Sequence, residues 1–127
     1  LSIWEGTTNV LALDLLRGIS RGGGLDPIAS EVARAIRETK DPGLVKAGSV
    51  ADAALTAATE WLATATKAGR AEVEAGARRF ALTLGRALEL ALLIEHAQWC
   101  LDHGGDRRAR AAAMRFAQSP VDQIAWM

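Results

Sequence analysis

The stretch DPGLVKAGSVADAALTAATEWLATATKA, residues 41–68, decides the fold. Asp41-Pro42 is a start signal. An aspartate side chain accepts from the unpaired N–H groups of a first helical turn, and proline at the first position gives up only an N–H that had no partner. Leu44, Gly48, Ala51, Leu55, Ala58, Leu62 and Ala65 then recur at alternating steps of four and three, the spacing of a single helix face. Most of these residues are small, so a neighbouring helix can approach closely. Trp61 adds bulk beside the seam, and Gly69 ends the run.

The same grammar extends to both sides. From about Arg70 to His103 the sequence predicts the longest helix, with Val73, Ala77, Phe80, Leu84, Leu88, Ala91 and Leu92 as its main stripe. Leu88 to Ile94 is apolar on most sides, so this helix is expected to be buried on two faces. Gly104-Gly105 stops it. Asp106 can cap a last helix to about Gln118 with Ala109, Ala113 and Phe116 inward, and Ser119-Pro120 breaks it. Upstream, Asp26-Pro27 repeats the start signal for a helix to about Thr39, with Ile28, Val32, Ala35 and Ile36 at helical spacing. The first helix is expected from about Thr8 to Ser20, with Val10, Leu13 and Leu16 in its stripe, a cap from Thr7 or Thr8, and an end at Arg21-Gly22-Gly23-Gly24. No strand alternation and no internal repeat is visible. The predicted fold is all-α, an antiparallel bundle of about five helices joined by short loops.

At 127 residues the chain is long enough for one domain with a real core. Its composition is 50% hydrophobic with no tyrosine and three prolines, which favours helices. Lys+Arg and Asp+Glu are both 15, giving zero net charge, so no global field argues for a nucleic acid or a membrane. The single cysteine, Cys100, cannot form an internal disulfide and fits a reducing, cytoplasmic compartment. The longest apolar run, Leu90–Ile94, is far too short to span a bilayer.

The densest chemistry stands at the start: Ile3-Trp4-Glu5-Gly6-Thr7-Thr8-Asn9-Val10, running on to Arg17. A carboxylate sits between a large aromatic and a glycine, followed by two hydroxyls and an amide. Read from the residues alone, Glu5 is a solvated acid ahead of a helix, favoured there by the macrodipole. Two other groupings have plain readings. His96, Cys100 and His103 share a helix face, but one helix cannot wrap a metal tetrahedrally, so no metal site is expected. Cys100 reads as a small core residue and His103 as a charge at a helix C-terminus. Arg107, Arg108, Arg110 and Arg115 make the last helix basic, and a solvated face is the default for such a run.

The stretch from Ile3 to Arg17 resembles the C-terminal signature of the acyl-CoA dehydrogenase superfamily, in which an aromatic-Glu-Gly-Thr segment precedes a helix of an all-helical domain. The helical tail after it resembles the extended C-terminal region of two branches, the very-long-chain enzymes and the alkylation-response AidB type. Tryptophan before the glutamate leans toward the second. The resemblance implies that residues 1–127 are the C-terminal helical part of a longer flavoprotein, with the catalytic-motif loop and first helix in 1–20 and the extended tail in 26–127. It implies that Glu5 is the base removing the α-proton of an acyl-CoA. The Glu5 backbone N–H would polarise the thioester oxygen, with Trp4 and Gly6 shaping the substrate contact. It also implies that Thr7 and Asn9 touch FAD, although members of the family often carry glutamine at the position of Asn9. The implied partners are an acyl-CoA substrate, an electron-transfer flavoprotein and further copies in a homo-oligomer. The alternative is a non-catalytic helical assembly or DNA-binding module, for which the arginines of the last helix are the candidate surface. These 127 residues alone are expected to hold no flavin and to be inactive, because FAD in the family lies between domains and subunits.

Overall fold

The computed structural model describes residues 2–22 and 24–124, and residues 2–9 by their backbone only. Five α-helices follow one another: α1 Ser2–Arg21, α2 Asp26–Arg37, α3 Pro42–Ala68, α4 Arg70–Asp102 and α5 Arg108–Gln118. Among the described residues there is no strand. The all-α expectation holds. α3 and α4 fold back on each other through the single residue Gly69, whose φ of 122° lies where a side chain would be strained. α4 packs against each of the other four helices and is the centre of the bundle.

Asp41 does what its position predicts. Its carboxylate accepts from the Leu44 N–H at 3.0 Å, and Pro42 occupies the first turn. The predicted face of α3 is the buried one: Leu44, Gly48, Ala51, Leu55, Ala58 and Ala65 are all buried, joined by Ala47 and Ala54. Opposite them α4 buries Ala77, Phe80, Leu84, Ala87, Leu90, Ala91, Ile94 and Ala97. Two core clusters result. One gathers Ala12, Leu16 and Ile19 of α1 and Val32 and Ala35 of α2 onto Leu55, Ala58, Phe80 and Leu84. There the Trp61 and Phe80 rings meet with centroids 5.2 Å apart. The other joins Leu44, Ala47, Ala51, Leu90 and Ile94 to Ala113 of α5 and to Val121.

Polar clamps fix the smaller helices. The Arg34 guanidinium of α2 donates to Glu95 of α4 at 2.6 Å. The Gln98 side-chain oxygen of α4 accepts from the backbone N–H groups of Lys40 and Asp41 at 2.9 and 3.0 Å, holding the turn between α2 and α3. Arg110 of α5 donates to Asp41 at 2.9 Å. Gly43 permits that pair, since a Cβ there would stand 2.5 Å from the Arg110 guanidinium. Beyond α5 the chain returns to α4, where the Gln123 N–H donates to the buried Thr83 hydroxyl at 2.9 Å. The helix stop at the glycine pair is closed by a Gly105 N–H donated to the Cys100 carbonyl at 3.1 Å, with Gly105 at φ 73°.

Five expectations need correction, the first being Val10, expected in the stripe of α1 but 57% exposed, about 160° around the helix from the buried Ala12. α1 begins at Ser2, not near Thr8, so Thr7 and Thr8 are interior residues and cap nothing. Glycine and threonine are weak helix formers by only about 0.5–1 kcal/mol each relative to alanine, and propagation adds a hydrogen bond per residue. Asp26 is the first helical residue of α2, Leu25 holds the cap position, and no side chain bonds there. Leu92, placed in the main stripe of α4, is 43% exposed. At 100° per residue Leu92 stands about 100–160° around the helix from the buried Ala87, Leu90, Ala91, Ile94 and Ala97. Cys100 is half-buried, outside both core clusters. The remaining boundaries agree within a few residues, and Leu90, Ala91 and Ile94 are fully buried as the two-sided apolar stretch requires.

Two stability outcomes follow from this packing. Ala51→Leu overfills the α3–α4 seam and is expected to destabilise by about 1–3 kcal/mol, whereas Leu90→Ala removes contacts and costs about 2–5 kcal/mol. Denaturant unfolding of both variants measures this, and an Ala51→Leu protein as stable as the parent chain would show the seam to be loose. The second outcome concerns Asp41. Burial pushes its carboxyl up, but the Leu44 N–H and the Arg110 guanidinium outweigh that and hold it below the ordinary value. A lowered folded-state pKa contributes stability in full above the unfolded value near 4 and loses it as pH falls through the folded value. Asp41→Ala is therefore expected to cost about 1–2 kcal/mol at pH 7. The gap to the parent chain should narrow below about pH 4. A pH-independent gap would show that the charge of Asp41 does not matter.

Candidate functional site

α1 carries the glutamate motif in its first two turns. Side chains of Trp4, Glu5, Thr7 and Asn9 lie outside the described residues, so their expected contacts are open. Their backbone positions are informative. Glu5 and Asn9 are one turn apart, and by register they continue the line of Ala12, Leu16 and Ile19, the residues through which α1 enters the core.

Farther along α1 the surface is concave. Leu13, Leu16, Leu62 and Val73 line a groove of about 410 Å³ between α1 and the α3–α4 turn, with Arg17, Arg21 and Arg70 at its rim. Val10 and Leu11 are exposed beyond it, at 57% and 63%. Val10 and Leu11 thus leave apolar surface of α1 that the five helices do not cover.

The other sequence candidates separate under the geometry. His96 and Cys100 do approach, with Nε2 and Sγ 3.5 Å apart. His103 instead turns its Nδ1 to the Trp99 carbonyl at 2.9 Å. Among the described residues no group of metal-ligating side chains converges. The basic patch of the last helix is partly spent. Arg108 is bound to Asp106, which it holds at a pKa of about 2 through a side-chain hydrogen bond and its charge. Arg110 is only 26% exposed and paired with Asp41. Arg107 and Arg115 remain outward. No described helix is long and apolar enough to cross a membrane.

A second groove was not foreseen from the sequence. It lies between the end of α2 and the last turns of α4 and has a volume of about 830 Å³. The signal was present in Leu92, His96, Trp99 and His103, which repeat at helical spacing on α4. That line is a second stripe, apolar and aromatic, on the side of α4 away from α3.

Comparison with known proteins agrees with the family expectation and with the all-helical fold. Residues 25–125 match the family model described as acyl-CoA dehydrogenase 11 C-terminal domain-like. Over 104 residues the chain is 35% identical to acyl-CoA dehydrogenase family member 11 of Caenorhabditis elegans, which covers 75% of this chain and 16% of that protein. No solved structure matches. The chain spans about a sixth of the length of this relative, and it belongs to the acyl-CoA dehydrogenase family as a C-terminal helical domain of the member 11 type.

Proposed function

We propose that these residues are the C-terminal helical part of an FAD-dependent acyl-CoA dehydrogenase in which Glu5 is the catalytic base. One observation carries the reading. The segment Trp4-Glu5-Gly6-Thr7 lies immediately upstream of the family-matched region, 25–125, and on the helix that packs into its core. The reaction removes the weakly acidic proton beside a thioester carbonyl. A carboxylate does this when desolvation raises its pKa and the backbone aims it at the α-carbon. Trp4 supplies apolar cover and Gly6 allows close approach of the backbone. FAD, when bound to the assembled enzyme, takes up the β-hydride.

In this reading the segment opens into a turn when the rest of the enzyme closes on it. The Glu5 N–H is then free to donate to the thioester oxygen as an oxyanion donor does. Thr7 and Asn9 reach the flavin in the same rearrangement. An electron-transfer flavoprotein as acceptor, homo-oligomeric assembly and a cytoplasmic setting complete the proposal. The DNA-binding alternative is weakened by the engagement of Arg108 and Arg110 with carboxylates.

In the full-length enzyme, Glu5→Gln is expected to keep flavin and fold while slowing flavin reduction by acyl-CoA at least ~10²–10⁴-fold. Rapid-mixing measurement of flavin bleaching reads this directly. Reduction at the parent rate would remove Glu5 from the mechanism.

A further inference from the structure

We draw no further inference here: the strongest candidate, the outward face of α1 where Leu11 and Leu15 stand exposed, is an unpartnered apolar surface, and nothing in the structure shows what covers it.

Discussion

The close approach of α3 and α4 is the constraint on which the rest of this structure depends. Many of their facing residues are alanine. Alanine contributes little area of its own, but it loses no side-chain entropy on burial and allows backbone-to-backbone packing. The larger apolar residues then serve where the helices diverge. Phe80 meets Trp61 at one end, and Leu44, Leu90 and Ile94 fill the other. α3 and α4 are shared by both clusters, and the remaining helices are positioned by what they find on that pair. α4 is the helix that all four others meet.

The polar contacts act on this frame as registers. Asp41 is the clearest case, since one carboxylate caps α3 and binds Arg110 of α5, while Gln98 fixes its backbone. An ion pair between exposed side chains would contribute little. Here the acid is 15% exposed and the guanidinium 26%, and the carboxylate also accepts from a backbone N–H. The pair therefore selects where α5 lies on the end of the bundle. Arg34 and Glu95, both more than 40% exposed, contribute less to stability, and their effect is to align α2 along α4.

How much of this could be read from the sequence depends on the range of the interaction that decided each feature. Asp41-Pro42, Gly69 and Gly104-Gly105 act within one turn, and each helix boundary they set was legible. So was the seam of α3, because a four-three repeat of small residues has one helical meaning. Asp26-Pro27 carried the same signal but placed the cap one residue late, since Leu25 already adopts helical angles at φ −89° and ψ −3°. The start of α1 was misplaced because a motif rich in hydroxyls invites capping, while the backbone cost of continuing through Gly6, Thr7 and Thr8 is small. Long-range pairs such as Arg110 with Asp41, 69 residues apart, left no local trace. The groove beside Trp99 was missed for a related reason. Its residues come from α2 and α4, and only the packing angle of those helices turns two stripes into one concavity.

The two ends of the molecule differ in how complete they are, and this bears on what each can do. The end of α4 is already set among its neighbours, with Glu95 bound to Arg34 and Gln98 to the turn between α2 and α3. The motif at the start of α1 is the reverse. Its backbone is helical, and the adjoining Val10 and Leu11 face outward. Unwinding the first two turns would surrender helical hydrogen bonds, each with a net worth of about 0.5–1.5 kcal/mol. Covering exposed leucine and valine returns about 1.5–3 kcal/mol for each side chain fully buried. The two quantities are of the same size. A partner surface that buries Val10 and Leu11 would therefore supply free energy on the scale of several helical hydrogen bonds.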